Sequence, residues 1–156
     1  MPVKYLQEFL DSRHVPYMTI AHSPAYSAQV IAASTHTPGK EFAKAVIVKL
    51  DGRMAMAVLP ACNLINFVHL KELTGASHAE LAPEEEFQNL FPECEVGAMP
   101  PFGNLYGLEV FADEALTEDR EIAFNAGSHR ELVRMAYRDF EGLVTPRVAC
   151  FSYKTP

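Results

Sequence analysis

Apolar positions near the start of the chain predict two short helices and a strand. Val3, Leu6 and Leu10 recur at helical spacing, which indicates an amphipathic first helix. Residues 15–20 are expected to form a short strand, with a proline near its start. A serine that can cap a helix then opens a second predicted helix over residues 27–34.

The clearest predicted element is a β-hairpin. Residues 42–50 are rich in strand-forming side chains, Asp51-Gly52 is a turn dipeptide, and residues 54–59 return. Lys44 and Lys49 interrupt the apolar first strand, and their odd spacing predicts that they point to opposite faces. By pattern alone, an outward Lys44 is slightly favoured over a lysine aimed into a cleft as an anchor for an anionic or carbonyl-bearing ligand.

The second half of the chain continues the alternation of helices and strands. We predict helices over 67–73 and 83–90 and strands over 105–111, 121–125 and 148–151. Because the two kinds of element interleave throughout, the expected fold is α/β (mixed α+β). We expect one domain over residues 1–156, with a twisted mixed sheet flanked by helices.

A capping box predicts a further helix from Ser128. Serine at the cap is followed three residues later by Glu131, and Leu132, Val133, Ala136 and Phe140 then form an apolar stripe. The amides at such a helix start, together with its dipole, would attract an anionic or hydroxyl-rich ligand at Gly127, Ser128 and His129.

Composition narrows the class of protein. The chain has 156 residues, of which 49% are hydrophobic and 21% charged, as in ordinary globular domains. Its net charge of −7 argues against broad binding to a nucleic-acid backbone or to DNA, but not against local contact with a few nucleotides. The N-terminus lacks the apolar segment of a secretory signal, and no apolar run approaches the roughly 20 residues of a membrane span. We therefore expect a cytoplasmic protein without a membrane partner.

Several chemistries lack their motifs. His78-Ala79-Glu80 has the H-x-E form of zinc deaminases, but P-C-x-x-C and HExxH are absent, so no metal site is predicted. Neither a nucleotide-binding loop nor a GxSxG elbow occurs. Cys94 stands between Glu93 and Glu95, which would raise its thiol pKa and make it a poor nucleophile.

The segment Gly97–Gly103 is a second candidate for ligand binding. Two prolines stiffen it and remove two backbone donors, whereas the flanking glycines allow a ligand or a backbone to approach closely. A tight structural connection and a rigid loop that grips a small polar group are equally compatible with this pattern.

Taken in order, these features resemble the YbaK and prolyl-tRNA synthetase-associated editing domain family. The similar stretches are spread from about residue 20 to residue 145: Pro24–Tyr26, Gly39–Val46, Ala57–Ala61, Pro100–Leu108 and Phe124–Glu131. The resemblance implies a trans-editing deacylase that hydrolyses the ester of a mischarged tRNA, typically tRNA(Pro) carrying alanine or cysteine. It also implies that the acceptor end of aminoacyl-tRNA is a partner, that prolyl-tRNA synthetase is a candidate second partner, and that no cofactor is needed.

The resemblance also assigns site residues. The lysine that the family needs for catalysis falls on Lys44, and its GxxxP loop falls on Gly97 to Pro101, so the expected catalytic residues are Lys44, Gly97 and Pro101. Its glycine-histidine element falls on Gly127 and His129. The expected substrate-binding residues are Tyr26, Ile47, Met99, Pro100, Phe102, Gly103, Gly127, Ser128 and His129.

Two other functions stay open at this point. A non-catalytic module of the same fold would dock a synthetase or bind an aminoacyl-adenosine-like ligand without turnover. The other alternative hypothesis is an unrelated small-molecule hydrolase.

Overall fold

The computed structural model describes residues 4–21, 41–95 and 97–154. The strands are β1 Tyr17–Ala21, β2 Ala43–Leu50, β3 Arg53–Pro60, β4 Asn63–Ile65, β5 Ala79–Leu81, β6 Glu109–Asp113, β7 Glu121–Asn125, β8 Glu131–Ala136, β9 Arg147–Ala149 and β10 Ser152–Lys154. The α-helices are α1 Lys4–Ser12, α2 Phe67–Thr74, α3 Glu84–Phe87 and α4 Tyr137–Val144. The expectation of a mixed α/β fold is confirmed.

A mixed sheet carries the predicted hairpin. Its strand order within the described ranges is β5-β2-β3-β6-β9, antiparallel across β5, β2 and β3 and parallel from β3 to β9. The β2–β3 ladder closes with Leu50 opposite Arg53, and both turn residues between them, Asp51 and Gly52, have positive φ angles. This backbone matches the right-handed twist of the flanking strands, so the Asp-Gly dipeptide fixes the hairpin where the sequence predicted it.

A second sheet is joined to the first at one end of β2. Its order is β1-β8-β7, with both pairings antiparallel. Phe42 forms a parallel bridge with Ala123 of β7, and the Ala123 amide donates a 2.9 Å hydrogen bond to the carbonyl of Glu41. The bridge places the first residues of β2 beside β7.

Alternation along β2 divides the core into two layers. Ile47 faces the larger layer, where Phe102 and Phe140 pack with the buried leucines of α1. Val48 faces the other way, toward Leu70 of α2. Helix α2 lies where the sequence predicted it, with its end capped by a left-handed glycine at residue 75. Among the described residues, no helix is both long and apolar enough to cross a membrane.

The predicted helix from Ser128 is wrong. The chain instead forms β8 over residues 131–136, and α4 begins only at Tyr137. Strand β8 lies between β1 and β7, which satisfy its backbone on both edges and bury Leu132 and Val133. The Ser128 hydroxyl accepts a 3.3 Å hydrogen bond from the Arg130 amide, which stabilises a turn and does not cap a helix.

Smaller differences concern the short elements. The predicted strand over 105–111 is a 3₁₀ turn at Gly103–Tyr106 followed by β6, and the last predicted strand divides into β9 and β10. The predicted helix over 83–90 is shorter, because α3 passes into a 3₁₀ turn. Strands β4 and β5 were not predicted. The predicted helix over 27–34 lies outside the described residues.

Candidate active site

Lys44 is half-buried in an apolar cleft of about 470 Å³. It is the second residue of β2 and pairs with Leu59 of β3. The cleft lining combines residues from β2 to β5, α2 and β10: Lys44, Val46, Leu59, Leu64, Ile65, Phe67, Leu81 and Tyr153. Among the described residues, no carboxylate lies within ion-pair distance of the Lys44 ammonium. The cleft therefore holds a cation whose apolar surroundings do not neutralise it.

Burial lowers the pKa of Lys44 below its usual value, and the charge interaction with Cys62 opposes this in part. Water solvates the ammonium poorly in this cleft. An anionic or strongly dipolar ligand group would therefore stabilise the charge in place of water. Such an environment would favour a phosphate or a polarised ester carbonyl as the ligand group.

Lys49 differs from Lys44 in that it has an ion-pair partner and lies on the other face of β2. Its ammonium lies 3.1 Å from the Glu86 carboxylate, on the face of β2 that also carries Ile47. The two lysines thus point to opposite faces, as their odd spacing predicted. Only Lys44 faces the apolar cleft.

Two loops that are distant in sequence meet beside the strands. The Gly127 amide donates a 2.9 Å hydrogen bond to the Ala98 carbonyl, and the Glu95 amide donates a 2.8 Å bond to the Gly127 carbonyl. Gly97 has φ of +85°, and a Cβ built on it would lie 3.6 Å from Cε1 of His129. The structure therefore brings the GxxxP loop and the Gly127–His129 turn together.

His129 is buried beneath this junction, with only 5% of its surface exposed. Its amide donates to a Glu95 carboxylate oxygen at 3.4 Å, and its Nε2 lies 4.0 Å from the same oxygen. The imidazole thus lies between the Glu95 carboxylate and the space that a Cβ on Gly97 would fill.

The rest of the GxxxP loop points inward. Pro100 and Pro101 are buried, and Phe102 packs against Phe124 and Phe140 with ring centroids 5.6 Å away in both cases. A Cβ on Gly103 would lie 3.0 Å from a Val110 methyl carbon, so a side chain there would crowd the packed side chains around it. Gly97 is the exposed end of a loop whose other end is anchored in the core.

Two further predicted contacts with the substrate, Ile47 and Met99, lie away from the Lys44 cleft. Ile47 and Met99 are 3% and 5% exposed and belong to the larger core layer, on the face of the sheet opposite Lys44. Neither lines the Lys44 cleft. Tyr26 lies outside the described residues.

The bridge between the sheets aligns Lys44 with the end of β7. Lys44 and Asn125 each lie two residues beyond the bridged pair Phe42 and Ala123, and therefore on the same face as that pair. Two residues after Asn125 the chain reaches Gly127. No residue of either loop lines the Lys44 cleft among the described residues, so the bridge is the structural link between them.

Sequence reasoning missed Asn125. It is a polar residue with 7% of its surface exposed, at the end of a strand whose preceding residues Ile122, Ala123 and Phe124 are wholly buried. A polar side chain that ends an apolar strand directly before a glycine turn was the available signal.

The cysteine and metal expectations have a structural context. Burial is the main cause that raises the Cys94 pKa, and Glu93 adds a smaller contribution, so the predicted direction is right but its main cause is different. The His78 amide donates to the Asp51 carboxylate at 2.8 Å. Within the described ranges, no three His, Cys, Asp or Glu residues are grouped so that they could hold a metal ion.

Comparison with known proteins identifies relatives of the chain. The sequence model described as the aminoacyl-tRNA editing domain matches residues 22–143. Proline–tRNA ligase from Bacillus mycoides is 30% identical over 86 residues, which are 55% of this chain and 15% of the ligase. Proline–tRNA ligase 1 from Bacillus thuringiensis subsp. konkukian is 34% identical over 73 residues, 47% of this chain and 13% of the ligase. The chain thus spans less than a fifth of these relatives.

Solved structures share the fold over the full length of the chain. Hypothetical protein APE2540 superposes with a TM-score of 0.87 at 22% identity, covering 96% of this chain and all of the other. A candidate trans-editing enzyme for prolyl-tRNA synthetase superposes with a TM-score of 0.83 at 20% identity, covering 99% of this chain and 97% of the other. These similarities concern the fold.

Proposed function

This chain belongs to the aminoacyl-tRNA editing domain family, and on that premise we propose that it hydrolyses the ester bond of a mischarged tRNA. The observation that carries the proposal is Lys44, a half-buried lysine without an ion-pair partner among the described residues, in an apolar cleft beside the β2–β7 bridge. The similarity to proline–tRNA ligases favours tRNA(Pro) carrying a small residue such as alanine or cysteine as the substrate.

The proposed role of Lys44 is electrostatic. Its ammonium would hold a phosphate of the terminal adenosine or polarise the scissile carbonyl, with little competition from water. A charge that is already in place costs no reorganisation when negative charge develops on the carbonyl oxygen, and such preorganised groups supply much of enzymatic rate enhancement.

The GxxxP loop offers a restricted set of donors for the developing oxyanion. The Ala98 amide is bonded to the Glu95 carbonyl, and Pro100 and Pro101 have no N–H. Among the described loop residues, the amides of Gly97 and Met99 remain, and Gly97 is the exposed one. We assign the Gly97 amide as the donor, next to Ala98, whose amide and carbonyl are both hydrogen-bonded.

The remaining chemistry falls to water and to the substrate. Burial raises the pKa of the Cys94 thiol, which makes it a poor nucleophile, and direct attack by water is the simplest route. The substrate's own ribose hydroxyl can take part in proton transfer. An apolar cleft discriminates weakly between residues that differ by one methylene, by about 1–3 kcal/mol.

The proposed activity also predicts the partners of the protein and its location in the cell. The acceptor end of tRNA would be the part that enters the site, and prolyl-tRNA synthetase is the candidate second partner. Since aminoacyl-tRNA is made and used where translation takes place, the protein would act in the cytoplasm.

The experiment is a deacylation panel with alanyl-, cysteinyl-, seryl- and threonyl-tRNA. We expect Lys44→Ala to lower kcat/KM by on the order of 10²-fold or more, because it removes a preorganised charge. Lys49→Ala is the matched control on the same strand and should retain activity, since Lys49 pairs with Glu86 on the opposite face. Lys44→Ala with full activity would contradict the role of Lys44. A wild-type protein that is inactive on all four substrates would contradict the proposed activity.

A further inference from the structure

Asn125 carries a buried amide whose oxygen is not used by the fold. The residue is 93% buried, and its Oδ1 has no hydrogen-bond partner among the described residues. Folded proteins rarely leave a buried acceptor without a donor, because desolvation of that group is unfavourable. The Asn125 oxygen therefore still needs a donor, which a ligand could supply, and its surroundings show which ligand would fit.

The β-ladders determine which way Asn125 points. It pairs with Leu132 of β8, and directly opposed residues of an antiparallel pair share a face. Leu132 belongs to a small buried cluster with Phe42 and Ala61. Phe42 and Lys44 are two residues apart in extended chain and also share a face. Asn125 and Lys44 therefore project from neighbouring strands toward the same side, next to Gly127.

We infer that the Asn125 carboxamide binds a ribose hydroxyl of the terminal adenosine of the aminoacyl-tRNA, an inference that rests on the proposed function. A hydroxyl both donates and accepts a hydrogen bond, as a carboxamide does. The substrate's ammonium group is a poorer match, because it would stand close to the Lys44 cation. The editing site thus holds its substrate with a cation from β2 and a neutral amide from β7.

A stability measurement tests whether the Asn125 amide contributes nothing to the stability of the fold. Leucine has nearly the shape of asparagine, and an apolar replacement of an unpaired buried amide removes its desolvation cost. We expect Asn125→Leu to unfold at a higher temperature than the wild type. Asn63→Leu is the matched control: Asn63 is also buried, but it donates to Ser152 Oγ at 3.0 Å, so this variant should unfold at a lower temperature. Asn125→Leu with a lowered unfolding temperature would overturn the inference.

A binding measurement identifies the group on the ligand. The probe is 3′-alanylamino-3′-deoxyadenosine, a non-hydrolysable analogue of the substrate terminus, compared by calorimetry with its 2′-deoxy counterpart. The wild type should bind the 2′-hydroxyl form about tenfold more tightly, since one good hydrogen bond is worth roughly that factor. Asn125→Leu should bind the two forms equally.

The possible outcomes separate this inference from the proposed function. A variant that still discriminates between the two analogues, while the wild type deacylates tRNA, overturns the role of Asn125 alone. A wild type that neither binds the analogues nor deacylates any tRNA overturns the proposed function, and the role of Asn125 with it. In a deacylation assay, loss of this contact should raise KM for the tRNA.

Discussion

At the scale of single residues, the molecule tolerates an unfavourable charge at Lys44. The cleft walls are apolar, and burial lowers the pKa of this lysine. An apolar side chain of similar length would be more stable in the same place, because it needs no solvation. A ligand group that binds the ammonium would account for the presence of a lysine at this position.

This cost predicts a pH dependence of stability. The unfolded chain keeps the Lys44 proton up to about the ordinary pKa of 10.5, whereas the folded chain releases it at lower pH. Between the two values the unfolded state binds more protons, so the Lys44 contribution to the free energy of unfolding rises with pH across that window.

Urea unfolding of wild type and Lys44→Met from pH 7 to 10 measures the effect. The variant should be the more stable protein at pH 7, and the difference should shrink as pH rises toward 10.5. Lys49→Met, which alters the lysine on the opposite face, should keep the wild-type rise. Parallel curves for wild type and Lys44→Met would show that burial does not disfavour the Lys44 charge.

At the scale of elements, the GxxxP loop owes its shape to glycine. Gly97 has φ of +85°, a conformation that L side chains rarely adopt, whereas the space around its missing Cβ is ordinary, with His129 Cε1 at 3.6 Å. Alanine at this position would therefore strain the backbone without a steric clash. The loop must then either accept the strain or move its Gly97 amide.

The matched pair Gly97→Ala and Gly52→Ala separates strain from function. Gly52 has φ of +84° with nothing within 4 Å of its missing Cβ, in a hairpin turn remote from the loop. Both variants should lose about 1–2 kcal/mol of stability. Only Gly97→Ala should also lose deacylation, by roughly tenfold or more, since small displacements of a catalytic donor are costly. Equal activity of the two variants would exclude a role for the Gly97 amide.

Elements that carry their own local signals could be predicted from sequence. The Asp-Gly turn defines the hairpin, and Asn66 and Gly75 close α2 at its two ends. The segment after Ser128 carries a false signal, because its apolar residues fit a helical stripe as well as a strand. Pairing with β1 and β7 decides in favour of the strand, and neither partner is adjacent in sequence to that signal.

The residues of the candidate site also divide into those that the sequence predicts and those that only the packed structure shows. Motif order predicted Lys44, the GxxxP loop and the Gly127–His129 turn as site residues, and backbone hydrogen bonds join the loop to the turn. Asn125 could not be assigned from sequence, because its unused amide oxygen is a property of the packed sheets. Strands β4 and β5 have three residues each, too few to show alternation.

At the scale of the whole molecule, the acidic charge limits how tRNA can bind. Twenty Asp and Glu residues outnumber thirteen Lys and Arg, which gives a net charge of −7. A wide contact with the phosphate backbone would need many more cations and would release many counterions. The proposed contact with the acceptor end alone involves few phosphates.

The salt dependence of tRNA binding tests this. With about two phosphate contacts to single-stranded nucleotides, the slope of log K against log salt concentration should be no steeper than about −2. A minihelix that contains only the acceptor end should bind about as well as full tRNA. A steep slope, or a large loss of affinity with the minihelix, would indicate an extended interface with the body of the tRNA.

The crossed hydrogen bonds between the two loops have a consequence for protein engineering. The Gly127 amide donates to the Ala98 carbonyl, and the Glu95 amide donates to the Gly127 carbonyl. The backbone position of each loop therefore depends on that of the other. Exchange of the GxxxP segment alone with that of a relative would leave the incoming loop mismatched with the resident turn. Transplants designed to change specificity should therefore move residues 95–103 and 125–131 as one unit, with Gly103 kept as the fixed junction to the sheet.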